Sequence, residues 1–469
     1  MNQTVFWQKY PALLYGISLL VGTSSVLFWP FPWQWVWPFC MGLYLLFLRK
    51  VPPLCLLIAG MYYASFFSPT LESARVGYFS PAILKPHQTP FTKELMYQGV
   101  LTAQGQRVPC GIAYTLSEDH PKANCDYIVK GILKKRSAYD YLFKAKEWIP
   151  VENTWRLAEF RFQCKEALRH FLDTHLHRPR VASFLGSLLT GDVEDRALRF
   201  EFSKLGLQHI LAISGFHFAI LISFCTFFLN LFLSHRSKYL VLLCSVSLYF
   251  LFVGSVPAVQ RSYLTVLFFT VGKLLNRPST GLNLLGASLL IEVLLNPLVS
   301  ANLGFQMSFL SCIGILLFRP LFLPVGQFLF PVHRNLTLIS QNGYLLTSFL
   351  REAIALTLAV NAALLPLLLY HFHTFPLLSL LYNLFFPFLI SLSLFLLLLS
   401  LLLYLLFPPL SLFFLTDFLT AQWLDLAAYP PLFLDYSIRC HSVPAWTIPI
   451  YLVFLFLAAT RLESSELKS

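Results

Sequence analysis

From Gly206 onward the chain is almost one continuous series of apolar runs, most of them about the length of a bilayer crossing. They fall near 206–233, 239–256, 257–275, 281–298, 302–318, 347–370, 376–407, 410–428 and 445–461. A lipid-exposed backbone of this kind satisfies its polar groups only as a helix. Three further runs, 11–29, 33–48 and 54–68, precede them. The pattern predicts a polytopic α-helical membrane protein of about 11–12 spans. Composition agrees, since 57% of the 469 residues are hydrophobic and 12% are charged, about half the charge of a soluble domain. The 376–407 run exceeds one crossing, and Pro387 predicts a break there into a half-helix and a full span.

The net charge of +12 is accounted for first by basic links on the cytoplasmic side. Arg49-Lys50, the 235–238 link, Lys273 with Arg277, Arg319, and Arg461 with Lys468 alternate consistently with a cytoplasmic Met1. Everything after Ser68 is then extracytoplasmic until the main series begins. Residues 1–10 carry a single Lys, and no small-residue cleavage site follows, so the first run reads as a retained helix. The predicted organisation is 1–69 N-terminal helices, 70–152 an extracytoplasmic β domain, 153–205 amphipathic interfacial helices, 206–461 the main membrane domain, and 462–469 a cytoplasmic tail. The expected location is a bacterial inner (plasma) membrane, crossed many times.

Residues 70–151 alone have ordinary soluble composition. Alternating β-branched runs at 95–103, 125–135 and 141–151, with turn residues such as Gly105, Pro109 and Gly111 between them, predict a small barrel or sandwich of OB size. Over 85–180 there are 16 Lys/Arg against 10 Asp/Glu, a mild excess. It is concentrated at Lys130, Lys134, Lys135, Arg136, Lys144 and Lys146. The following stretch, 153–178, has apolar residues at helical period opposite Arg156, Arg161, Lys165, Arg169 and His170. Such a helix lies on headgroups or forms a basic collar at a pore mouth.

Polar residues recur at membrane depth: Gln208, His209, Ser214 and His217, then Gln260, Arg261 and Ser262, Glu292, Asn302, Gln306 and Ser308, Asn361, and Asn383. One alone reads as packing glue between helices. So many on successive spans, beside Gly and Pro, point to a polar lining. Arg261 needs a partner at such depth, either Glu292 or a passing phosphate. No phosphate loop, Cys/His zinc spacing or HxHxDH cluster occurs, and acidic residues are too sparse for a two-metal nuclease. No catalytic residue, metal or cofactor is therefore expected.

The stretch GLQHILAISGFH, 206–217, resembles the signature of the ComEC family, inner-membrane channels for DNA uptake in natural transformation. SLLTGDVEDR, GSVPAVQRSYLTV, LNPLVSANLGFQMSF and the 359–388 stretch resemble further family segments, in order, with Asn296 where an Asp is usual. The resemblance implies a channel for single-stranded DNA, with membrane lipids around it and a periplasmic DNA receptor and a cytoplasmic helicase as partners. The polar residues at membrane depth that would line its path are His209, Ser214, His217, Arg261, Gln306 and Asn361. The six barrel cations, with Arg161 and Arg169, would guide the strand. The family's N-terminal domain is OB-like and oxidised, which implies a Cys110–Cys125 disulfide worth about 3 kcal/mol. Many members also carry a metallo-β-lactamase-like domain; none is expected here, so nuclease activity is not carried over. The competing class is a small-molecule or lipid transporter, or a membrane-embedded enzyme acting on lipid-linked substrates.

Overall fold

The computed structural model describes residues 3–29, 33–67, 71, 73–88, 93–115, 120–136, 141–211, 215–277, 279–330, 338–428, 437–439 and 443–466. Four helices open the chain: α1 (Gln3–Lys9), α2 (Pro11–Phe28), α3 (Val36–Phe47) and α4 (Val51–Ser65). Proline stands in the first turn of α2 and of α4, where its missing N–H costs nothing. The backbones of α2 and α4 touch closely, because Gly22 faces the Leu57 carbonyl and Gly60 the Leu19 carbonyl.

Five strands follow: β1 (Val76–Gln88), β2 (Lys93–Ala103), β3 (Gln106–Thr115), β4 (Tyr127–Lys135) and β5 (Tyr141–Pro150). They close in the order β1-β2-β3-β5-β4, antiparallel throughout except for the β3–β5 pair. This is an OB-like barrel, and closure leaves no sheet edge. Side chains at alternate positions fill it: Phe79, Leu95, Tyr97, Leu101, Val108, Ile112, Val129 and Phe143. At Gly131 the β4–β5 register slips, and a Cβ there would lie 2.0 Å from the Lys144 carbonyl oxygen, so only glycine fits.

The expected disulfide is not formed. Cys110 alternates inward with Val108 and Ile112 and is buried in the barrel core, a small hydrophobe among others. Cys125 packs half-buried against the same core, and no bond joins the two sulfurs.

Below the barrel's chain end, α5 (Ala158–His175), α6 (Pro179–Thr190) and α7 (Arg196–Lys204) lead into the membrane helices. Asp195 caps α7 by accepting from the Ala197 and Leu198 amides. The buried Asp126 pairs with the partly exposed Arg156, with Tyr78 and Ser80 hydroxyls in reach, and fixes the chain leaving β5 against the barrel. Burial works to raise the Asp126 carboxyl. The hydrogen bonds from Arg156 and Tyr78 outweigh it and hold the group below the usual carboxylate range. The pair's support is thus present above about pH 4 and is lost as pH falls through the depressed value.

The remaining helices are α8 (Gln208–Leu211), α9 (Gly215–Phe232), α10 (His235–Val253), α11 (Pro257–Leu274), α12 (Gly281–Leu295) and α13 (Leu303–Ile313). A π turn, Gly314–Phe318, continues α13 into α14 (Arg319–Leu329), followed by α15 (Leu338–Phe372) and α16 (Leu378–Leu406). The last two are α17 (Phe413–Ala428) and α18 (Thr447–Glu466). Two three-residue strands, β6 (Thr374–Pro376) and β7 (Ser437–Arg439), pair antiparallel beside them. Among the described residues six helices are long and apolar enough to cross a membrane, and four shorter apolar helices accompany them. The protein is thus a polytopic helical membrane protein carrying a small OB-like barrel.

The expected break at Pro387 is corrected: α16 runs through it unbroken, with Pro387 inside the helix. Apolar packing on α17 and α6 around Phe386, Ile390, Leu394 and Leu397 holds the helix across the lost hydrogen bond.

Candidate functional site

The polar residues expected at membrane depth are not gathered evenly, and one cluster dominates. Its centre is Arg261, on the second turn of α11, with only 6% of its surface exposed. Pro257 starts α11 just after Gly254, whose φ of 101° favours glycine, so the first turns of this helix are reached from a sharp backbone corner. The Arg261 Nε donates to the Ser308 hydroxyl at 2.7 Å, Nη1 to the Cys312 sulfur at 3.0 Å, and Nη2 to the Ser262 hydroxyl at 3.1 Å. Ser308 and Cys312 are one turn apart on α13 and so present one face. The Asn302 side chain caps that helix by accepting from the Phe305 amide.

The guanidinium also touches the start of α9. A Cβ on Gly215 would lie 2.7 Å from the Arg261 Nη2, so the glycine of the 206–217 stretch leaves room for the cation. His217, one turn into α9, is buried. One turn along α11, Thr265 contacts Ser288 of α12 at 3.1 Å. Glu292, one turn beyond Ser288, is 1% exposed, and among the described residues neither carboxylate oxygen has a hydrogen-bond partner. The arginine donates instead to two hydroxyls and a thiol, and among the described residues it makes no ion pair with Glu292.

The other expected lining residues are placed apart from this centre. Gln306 donates to the Ser300 carbonyl at 2.8 Å, bracing the turn before α13. Asn361 donates back to the Thr357 carbonyl on its own helix at 2.8 Å. The side chain of His209 and all of Ser214 lie outside the described residues. In this conformation Arg261, Gln306 and Asn361 are engaged in separate protein contacts.

Outside the membrane helices, the structure brings Lys130, Lys134, Lys135, Arg136, Lys144 and Lys146 together on the outer face and loop end of the β4–β5 hairpin. All six are exposed. Lys130 pairs with Glu147 at 2.9 Å, both well solvated, so that contact stabilises little. Lys135 lies 5.9 Å from the Tyr141 ring centroid. The exposed Ile128, Ile132 and Ile149 share the face.

Arg161 and Arg169 do not join that surface. Arg161 donates at 2.6 Å to the Ala82 carbonyl of β1 and at 2.6 Å to the Leu251 carbonyl of α10, tying barrel to membrane helix. Burial pushes its guanidinium down from its ordinary value. Arg169 binds Glu166, Glu194 at 2.6 Å, and the Thr190 hydroxyl. Lys165, which periodicity put on an exposed basic side, is 1% exposed and pairs with Asp192 at 2.8 Å. Burial lowers the Lys165 ammonium, and Asp192 opposes that. Two cations of α5 thus meet the acidic 192–194 loop, a pairing that residue spacing did not reveal. Ser308 is visible in the sequence as a polar residue, whereas Cys312 sits in an apolar run as a small hydrophobe, and its i+4 spacing from Ser308 is the signal for a shared face.

A family model described as Competence protein matches residues 188–465, more than half of the chain. ComE operon protein 3 of Bacillus subtilis (strain 168) is 27% identical over 235 residues, covering 49% of this chain and 27% of that protein. The chain thus aligns with little more than a quarter of that relative's length. No solved structure matches.

Proposed function

We propose, on the premise that this chain belongs to the competence protein family, that it conducts single-stranded DNA across a bacterial inner membrane during natural transformation. The observation that carries this reading is Arg261. It is a buried guanidinium on the first turns of a membrane helix, bonded to neutral groups and, among the described residues, to no carboxylate. A guanidinium fits phosphate as well as carboxylate, and a passing strand presents a phosphate at every nucleotide. The path runs past His209, Ser214, His217, Arg261, Gln306 and Asn361. In this reading the contacts of Arg261, Gln306 and Asn361 belong to a closed state, and opening requires α13 to release the arginine.

The barrel lies on the extracytoplasmic side in this reading, and its six hairpin cations gather the strand by phosphate contacts that carry no sequence preference. Arg136 opens the β4–β5 loop, one of the loops by which OB barrels hold oligonucleotides. A periplasmic receptor delivers the strand, and a cytoplasmic helicase supplies the pull. Lipids bind the apolar flanks. The test is deletion of the gene followed by scoring of labelled DNA on both sides of the inner membrane. DNA held outside supports the channel. Unchanged arrival in the cytoplasm overturns it and leaves a small-molecule or lipid transporter.

A second expectation concerns the hairpin. Exchanging Lys134, Lys135, Arg136, Lys144 and Lys146 for glutamine should weaken oligonucleotide binding equally for all sequences. The slope of log affinity against log salt should flatten by about 3 to 4, the five lost contacts at about 0.7 each for a single strand. An unchanged slope removes this face from the DNA route.

A further inference from the structure

Glu292 is the buried titratable group that the channel reading leaves without a task. Its carboxylate oxygens are shielded and, among the described residues, have no hydrogen-bond partner. A charged carboxylate so placed has nothing to replace its lost hydration. The Thr265–Ser288 contact fixes what faces it. α11 and α12 are joined by the short 275–280 link and pack together as antiparallel neighbours. One turn back on α11 is Arg261, and one turn on along α12 is Glu292, so the two stand opposite each other, about 6 Å along the axis from that contact.

The other elements on α12 leave this pairing undisturbed. α2 brings Tyr15 and no charged side chain, and residues 297–301 bring no titratable one. α13 brings Cys312, which holds Arg261. Tyr63 of α4 donates to the Leu294 carbonyl at 2.8 Å. Lys273 is three turns away at the far end of α11, and His217 is buried on α9, which also packs on α11. Directly after Cys312 comes the π turn Gly314–Phe318. Such turns are frequent at functional sites, and migration of the extra residue along α13 would shift the register of the helix. A register change in α13 moves Ser308 and Cys312 off the guanidinium together.

We propose that Glu292 is a proton-binding site whose loading alternates with the position of Arg261. With Arg261 held by Ser308 and Cys312, Glu292 carries a proton as a neutral carboxylic acid. When α13 lets go, the O–H bond breaks, the proton leaves to water in the opened path, and the carboxylate takes the guanidinium as its partner. Reprotonation of the carboxylate returns the arginine to α13. No electron changes hands, and each cycle releases one proton to the opened path and takes one up again. Only the use of that proton, to drive strand movement, rests on the channel reading.

The test is infrared difference spectroscopy of the full chain in proteoliposomes, titrated in pH without DNA. Wild type is expected to show a protonated-carboxyl band that Glu292→Gln lacks and Glu292→Asp shifts in frequency. Arg261→Gln should move the band's midpoint upward, a tenfold or larger gain in proton affinity, because the carboxylate has lost its cation. Wild type without a band that these variants alter overturns the proposal, whatever their DNA uptake. A titrating Glu292 band in a protein whose deletion leaves DNA uptake unchanged keeps the proton site and discards the channel.

Discussion

Arg261→Ala is expected to cut delivery of labelled DNA to the cytoplasm by about 30-fold or more at normal protein level. Removing one member of a buried, desolvated charge contact costs about 2–5 kcal/mol, and each 1.4 kcal/mol is a factor of ten. Two companion variants separate charge from scaffolding. Arg261→Gln keeps donors for Ser308 or Cys312 and restores most of the structure without restoring a cation. Arg261→Lys keeps the charge but loses the planar fork that reaches three partners at once. Uptake in the order wild type, Lys, then Gln and Ala together assigns the residue to phosphate. Recovery by Gln makes it structural, and wild-type uptake in Ala takes it off the path.

The ease with which Arg261 stood out in the sequence, and the difficulty of seeing its partners, have one cause. A cation in an apolar run is conspicuous because burial is expensive, whereas the groups that receive it are ordinary. Ser308 and Cys312 are small side chains on a helix 47 and 51 residues away, and only packing of α13 on α11 makes them ligands. Gly215 is similar: its value is the space it leaves, and a sequence does not display space. The membrane helices were legible because apolar length alone decides them. In the barrel, β2, β4 and β5 showed as alternating runs, but β1 and β3 did not. β3 contains Pro109 and Gly111, which read as turn residues, yet the strand tolerates Pro109 because its pairing with β5 covers only 110–112. Pro81 of β1 sits where the β1–β2 register slips. The α5 cations misled in the opposite sense. Lys165 and Arg169 look like a free basic stripe until the chain folds the 192–194 loop onto them.

Gly286→Leu is expected to abolish the folded protein. Its first added atom would stand 2.2 Å from the Leu13 backbone nitrogen and 2.4 Å from the Ala12 carbonyl carbon. Those are main-chain atoms of α2 and cannot swing aside like a side-chain tip. Gly16 of α2 in turn faces the Gly286 carbonyl, so the contact is backbone on backbone from both sides. Ordinary overpacking costs about 1–3 kcal/mol; here α2 must leave its seat on α12, and Leu13, Leu14 and Leu19 lose their buried places with it. The measurement is the amount of monodisperse protein extracted from membranes and its unfolding temperature in detergent. Gly42→Leu serves as the control, since a Cβ at Gly42 meets only leucine methyls at 3.8 and 3.9 Å. A Gly286→Leu protein as abundant and as stable as that control would mean that α2 does not sit on α12. The consequence reaches the candidate site, because α12 carries Ser288 and Glu292 on the side that meets α11. If Gly286→Leu is lost as expected, residues 188–465 do not hold Arg261 and Glu292 in register by themselves: α2, which lies outside that match, sets the position of the helix on which the pairing depends.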